Sequence, residues 1–304
     1  MSEDYNQNLQ QLEERMEHSE IEAVVARLLQ ACAGNEMLVF CDEDTKAGAA
    51  QGAATSDQIA RASRMRIFDE PLVGVAHADD PLFERFKQPD VIGPDYQGPQ
   101  EWLKGARSVV SVFFPFSDCV RKSNQPDGEA SLEWQYAKYF GTKVIGEVCH
   151  GLCSALERHG WRALMPSGTA GFGFKMVESE LEGQPDLRPV VAWSERHAAF
   201  ASGLGTFGIS KGLITRRGMA GRFGSIVTDA PLAVTPREYE DPYEWCSHCG
   251  ACVRRCPVRA ITMQGTKNNK LCQRWCLGVN DVYHLGDACG KCQVRVPCER
   301  SRPR

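Results

Sequence analysis

The sequence has no hydrophobic run long enough to cross a bilayer. Its longest strongly apolar stretch is Val109 to Phe116, whereas a spanning helix needs about 20 such residues. It also has no leader pattern. Met1-Ser2-Glu3-Asp4-Tyr5-Asn6 is acidic and polar, with no basic segment, apolar segment or twin arginine. The expectation is a cytoplasmic protein without membrane contact, in a reducing compartment where stable disulfides are rare. Nucleotide signatures are missing as well. No strand leads directly into the one glycine-rich loop, no helix opens after it, and no GK[ST] comes after it, so neither a dinucleotide fingerprint nor a P-loop is present. His77, His150, His159, His248 and His284 show no paired spacing, which removes histidine-based zinc sites.

Cysteine, by contrast, is plentiful. The 304-residue chain carries 14 of them, and nine fall in the 59 residues from Cys246 onward. The same tail holds 11 lysines and arginines against three acids, a balance of +8. The whole chain is at −4, so residues 1–245 carry −12. A near-neutral average therefore joins an acidic body to a basic, thiol-rich tail.

The body reads as mixed α and β. Residues 8–32 lack Pro and Gly and read as helix, available for packing and for contacts between copies of the chain in a homodimer. Residues 42–56 read as a polar loop, and Ser56 as the cap of a short helix running to about Met65. Strands are expected at 72–76, 109–114, 161–165, 189–193, 213–215 and 223–228. A long helix is expected from Ser131 to His159, with Val144, Ile145, Val148, Leu152 and Leu156 on its apolar face. Ser194 is placed to cap a short alanine-rich helix from Glu195. Residues 236–242 (PREYEDP) read as a polar linker into the tail. The boundaries expected are 1–66 for a helical region, 67–240 for an α/β cofactor domain and 241–304 for the thiol-rich domain.

Cys246-x2-Cys249-x2-Cys252-x3-Cys256-Pro257 matches the bacterial ferredoxin run. Three thiolates two residues apart wrap three corners of a cubane, while the fourth ligates the other cluster in two-cluster proteins. Zinc sites come instead as separated CxxC pairs. Applied here, that crossing gives Cys246, Cys249, Cys252 and Cys298 to one [4Fe–4S] cluster. Cys256, Cys272, Cys289 and Cys292 go to a second, with Cys276 as the competitor of Cys272. Each oxidised cluster with four thiolates carries about −2, so part of the tail's positive charge is internal compensation. Cys32, Cys41, Cys119, Cys149 and Cys153 read as small packed thiols.

Between the body and the tail lies Gly203-Leu204-Gly205-Thr206-Phe207-Gly208-Ile209, preceded by His197. Six glycines fall between 203 and 221. By itself such a loop is equally a tight structural turn or a cofactor cradle. The order of the segments around it carries a resemblance: RHAAFASGLGTFGISKGLITRRG, then FGSIVTDAPL, CSHCGACVRRCP and CGKCQVRVPCE. This order, with VGVAHADDPLF and PQEWLKGARSVVSVFFPF upstream, resembles the epoxyqueuosine reductase and reductive dehalogenase superfamily over roughly residues 67–304.

The resemblance implies an α+β fold. A mixed α/β, nitroreductase-like domain would hold base-off cobalamin, and a bacterial-ferredoxin-like double [4Fe–4S] domain would feed it electrons. It implies that His197, Gly203, Leu204, Gly205, Thr206, Phe207, Gly208, Ile209, Ser225, Ile226, Val227 and Thr228 line the corrinoid. It also places the proton donor on the long helix, where Tyr136, Tyr139 and Lys143 share one face at helical spacing. Glu195, Arg196 and His197 are second candidates, for contacts to substrate or to corrin amides. The acidic residue that epoxyqueuosine reductases carry on that helix is missing from Tyr136-Ala137-Lys138-Tyr139-Phe140-Gly141-Thr142-Lys143. Three functions are compatible with these features. The first is a cobalamin-dependent reductase of a small molecule, fed by an external low-potential ferredoxin or flavodoxin-type donor. The second is a corrin-free electron carrier or reductive activator, which requires a filled core and a closed glycine loop. The third, disfavoured by the −12 body, is an enzyme acting on tRNA.

Overall fold

The computed structural model describes residues 18–35, 57, 60, 62, 64–283 and 288–304, with the backbone alone for 279–283. The helix expected before His18, the 42–56 loop, the Ser56 cap and Cys41 lie outside the described residues. In chain order the elements begin with α1 (His18–Ala31), β1 (Leu72–His77), α2 (Pro81–Arg85), α3 (Pro99–Trp102), β2 (Ser108–Pro115), α4 (Asp118–Ser123) and α5 (Leu132–Arg158). They continue with β3 (Ala163–Leu164), β4 (Phe174–Leu181), β5 (Gln184–Val191), α6 (Glu195–Ala201), β6 (Gly205–Phe207), β7 (Leu213–Thr215), β8 (Gly221–Thr228), α7 (Ala251–Arg255) and α8 (Asn269–Tyr283).

The centre is a four-stranded antiparallel sheet in the order β1-β2-β8-β3. Every residue of β2 is buried because both faces of the sheet are covered. Alternation along the strand divides the burial: Val110, Val112 and Phe114 point into one core, Val109 and Phe113 into the other. The first core is closed by α5 and by α1, through Ile21, Val25 and Leu29. α5 starts where Ser131 Oγ accepts the N–H of Trp134 at 3.2 Å. The second core is aromatic. Tyr96 and Phe83 stack on Trp193 with ring centroids at 5.8 and 6.1 Å, and the alanines of α6 pack beside them.

Two segments differ from the sequence reading. Residues 236–242 are no solvated linker: Tyr239 is buried, its hydroxyl donating to Phe200 O at 2.6 Å and accepting from Gly205 N at 3.3 Å. Strand β4 and the first part of β5 are not legible in the sequence, because they are largely exposed and carry charges and two prolines instead of an apolar alternation, whereas the strand expected at 189–193 overlaps the end of β5. Cys119 is exposed rather than packed, whereas Cys32, Cys149 and Cys153 are buried.

The tail returns to the sheet. Met219 N donates to Cys298 O at 2.9 Å and Ala220 N to Glu299 O at 3.3 Å, just ahead of β8. This approach requires Gly218, whose φ is +81° and where a Cβ would stand 2.3 Å from Glu299 O. G218A is therefore expected to destabilise the fold by about 1–3 kcal/mol or more and to loosen Cys298, read out as a lower Tm together with lower iron content after reconstitution.

Candidate redox centre and the recess beside it

Cys246, Cys249, Cys252 and Cys298 line one cavity, which Gly208, Ile209 and Ile214 close from the glycine-loop side. Each thiol is positioned by backbone. Cys246 N donates to Tyr243 O at 2.9 Å, and Trp245 N donates to Thr206 Oγ at 2.9 Å. Gly250, with φ +68°, turns the chain into α7, which carries Cys252. Burial, then the neighbouring thiols, push Cys252 up to about 11 and Cys298 up to about 12. Iron needs the thiolates, so loading this set releases protons. Among the described residues, no three His, Cys, Asp or Glu side chains converge on a single ion. Four thiols around a shared space form the donor set of a cubane.

The remaining tail thiols gather beside this cavity. Cys292 has Cys272 and Cys256 as thiol neighbours, and Cys289 has Cys292 and Cys272. Cys276 lies one turn further along α8, half-buried. The two groups adjoin, because Cys292 is the foremost charge neighbour of Cys252. Backbone carbonyls hold the second group: Asn124 Nδ2 donates to Cys289 O at 2.8 Å and Gln135 Nε2 to Ala288 O at 3.0 Å. Lys291, between the two cysteines, is buried with Nζ donating to Pro126 O at 2.8 Å and Asn124 O at 3.2 Å.

The glycine loop is occupied by the protein itself. A Cβ at Gly205 would lie 1.9 Å from Ile214 O, so β6 sits directly on β7. Gly203 packs on Thr235 and Pro236, Leu204 enters the aromatic core, and Phe207 lies 4.9 Å from the ring of His197. On β8, Ile226 and Val227 fill the two opposite cores, and Thr228 Oγ donates to Arg162 O at 2.8 Å. Leu204, Gly205, Thr206, Ser225, Ile226, Val227 and Thr228 are all buried. Gly208 and Ile209, also buried, line the first thiol cavity.

On α5 the structure brings Tyr139 and Lys143 together and places Tyr136 apart from them. Tyr136 is fully buried beside Phe140, whereas Tyr139 is 47% exposed and stacks under Lys143 Nζ at 5.3 Å. The buried stripe advances by i, i+4 steps through Leu132, Tyr136, Phe140, Val144 and Val148. It winds around the helix and leaves Tyr139 and Lys143 outside it.

A different group of polar side chains comes together at the start of α6. Arg196 is exposed, yet protein surrounds it so closely that desolvation is the main influence on its guanidinium and draws its pKa down. Its Nη1 donates to Lys211 O at 2.5 Å. Cys292 of the second thiol group is its charge neighbour there. His197 stays neutral. Burial, then the charge of Arg196, press it down to about 3, and it sits against Phe86 and Phe207 with Nδ1 2.8 Å from Ser194 Oγ. Ser194 thereby serves His197 and makes no side-chain cap. Glu195 turns inward. Ser225 Oγ donates to its Oε2 at 2.5 Å and accepts from Trp193 Nε1 at 2.8 Å, while its Oε1 is buried without a hydrogen-bond partner. Trp193, Ser167 and Arg222 escaped the sequence reading. The only signal for them was a serine in the middle of an otherwise apolar buried strand, FGSIVT.

The 4Fe-4S binding domain family matches residues 240–262. No curated protein matches the sequence. Among solved structures, an N-terminally tagged catabolic reductive dehalogenase, NpRdhA, is 18% identical over 76% of this chain and 30% of its own, with a TM-score of 0.47. Epoxyqueuosine reductase from Streptococcus thermophilus is 15% identical over 77% of this chain and 64% of its own, with a TM-score of 0.49. An epoxyqueuosine reductase with a tRNA-Tyr epoxyqueuosine-modified stem loop is 17% identical over 82% of this chain and 66% of its own, with a TM-score of 0.46. The chain thus spans less than two thirds of the first two structures it resembles.

The placement of Cys272 and Cys276 separates by substitution. After anaerobic reconstitution, C272S is expected to lose about half of the bound iron and C276S to keep it, by colorimetric iron assay and the intensity of the reduced-cluster EPR signal.

Proposed function

We propose that the chain is an iron–sulfur reductase acting on a small molecule. In this reading Cys246, Cys249, Cys252 and Cys298 hold one [4Fe–4S] cluster, and Cys256, Cys272, Cys289 and Cys292 hold the other. Bound there, the clusters supply one-electron transfer from an external low-potential donor of ferredoxin or flavodoxin type. One juxtaposition carries the reading: Cys292 adjoins Cys252 of the other thiol group and also the exposed Arg196. In this reading reducing equivalents reach a cationic side chain at the surface.

Base-off cobalamin is the cofactor that the motif resemblance proposes beside the second thiol group, and when bound it would supply strongly reducing chemistry at carbon. Arg196, exposed there, would meet its polar periphery. His197, held neutral between two aromatic rings, would not deliver a proton.

The corrin-free electron carrier is the second reading, and a specific observation favours it: the glycine loop is closed and both cores beside β8 are filled. A tRNA surface draws little support. Arg255 pairs with Asp127, Arg300 Nη2 lies 3.0 Å from Asp118, and Arg302 stacks on Trp245.

Anaerobic reconstitution with iron and sulfide, then cobalamin and desalting, separates these readings. The expected result is about eight iron atoms per chain with a retained corrinoid spectrum. Eight irons without corrinoid would establish the electron carrier instead, about four would remove the second cluster, and none would sink both.

A further inference from the structure

Resting on the reductase reading, we propose that Lys291 is the built-in counter-charge of the second cluster, a buried cation that makes this cluster easier to reduce. Lys291 stands between Cys289 and Cys292 in the chain and is 2% exposed. Its Nζ donates to two backbone carbonyls, Pro126 O at 2.8 Å and Asn124 O at 3.2 Å. An ammonium has three protons to donate, so one is left without an acceptor among the described residues. Among those residues no carboxylate lies within ion-pair distance of it either. Asp127 acts on it only from further away, and that exposed carboxylate is already engaged by Arg255 and Arg295.

Burying a cation is costly unless an anion answers it. Two carbonyls solvate Lys291 without neutralising it, and Arg255 adds positive charge within its reach. The anion that fits is the second thiol group in its thiolate form. Cys289 is within electrostatic reach of the ammonium, and the backbone N–H of Lys291 hydrogen-bonds the same sulfur. The local fold keeps the two together. Gly290, with φ +66°, opens the turn that carries Lys291, and a Cβ there would stand 2.0 Å from the Trp134 ring. Asn124 holds both groups, donating from Nδ2 to Cys289 O at 2.8 Å and accepting from Lys291 Nζ on its own carbonyl. Lys267 also acts on Cys292, but from a partly exposed position where water screens it.

One electron passing from the external low-potential donor, which is thereby oxidised, adds one negative charge to the second cluster. No proton moves and no bond breaks. Lys291 offsets that charge through its ammonium, and its N–H supports the Cys289 sulfur, the two influences that raise a cluster's potential. The cavity of Cys246, Cys249, Cys252 and Cys298 has no charged side chain in its lining. The effect of Lys291 therefore falls on one cluster of the pair.

Redox titration of the anaerobically reconstituted full chain, followed by EPR, tests this in K291M, K291Q and K291R. Gln keeps two N–H donors without the charge, and Arg keeps the charge. With about eight irons retained, K291M and K291Q are expected to move the midpoint of one cluster downward. Its reduction becomes about tenfold less favourable, or about 59 mV for one electron. The other cluster stays in place, and K291R keeps the wild-type values. Loss of about half the iron from K291M and K291Q but not from K291R supports the same conclusion, because only charge separates Gln from Arg as a donor here. Unmoved midpoints, equal shifts of both clusters, or a loss of iron in K291R that matches K291M overturns the assignment and leaves Lys291 as a pin for its turn. Failure of the reductase reading shows separately, as wild-type protein that takes up no iron.

Discussion

The redox end of the molecule depends on one constraint, the return of the chain's last turn onto the residues ahead of β8. Glu299 is at its centre. Buried, it accepts from Arg295 N at 2.6 Å and from Gln125 Nε2 at 3.2 Å, with Arg121 Nε 4.0 Å away. A buried carboxylate without partners would cost several kcal/mol, so these partners hold the tail only in the docked position. The preceding residue is Cys298, whose carbonyl receives Met219 N–H. Docking therefore aims the Cys298 thiol into the cavity of the 246–252 turn. The same stretch runs on through β8 to Ser225. One path thus sets both the Cys298 thiol and the hydrogen-bond partner of Glu195.

The charge asymmetry takes its meaning from this docking. The basic tail meets acids of the body at short range: Arg255 and Arg295 converge on Asp127, and Arg300 reaches Asp118. Arg254 Nη1 donates to Cys249 O at 3.2 Å. Most of these guanidiniums are partly exposed, so each pair contributes little to stability. Their combined effect is positional. Positive charge is gathered around the tail thiols, and beside a cluster held there it would favour the reduced state.

Legibility from sequence tracks how local the underlying physics is. The cysteine run, the limits of α5 and the strands β1, β2 and β8 are written in short spacings and continuous apolar stretches, and they stand where the periodicity places them. In the β4–β5 hairpin only the end of β5 is marked by an apolar stretch, so β4 and the turn stay hidden. Residues 236–242 look like a spacer from their prolines and charges, yet Tyr239 anchors them through contacts with residues more than 30 positions away. Position in the three-dimensional site is the least legible quantity. Tyr136, Tyr139 and Lys143 share a face by helical spacing, but a buried stripe that advances by four residues at a time takes Tyr136 inward and leaves Tyr139 and Lys143 together outside it.

That separation also bears on where an acid can work. On α5 the inward positions belong to the packing stripe, where a carboxyl would be desolvated without donors and stay neutral at all working pH values. The outward positions are solvated, and a carboxyl there would stay ionised. Glu195 escapes both limits because its carboxyl is buried and yet receives a hydrogen bond from a serine on the rigid interior of the sheet. Burial outweighs the hydrogen bonds and the charge of Arg222, and it raises the carboxyl to about 7.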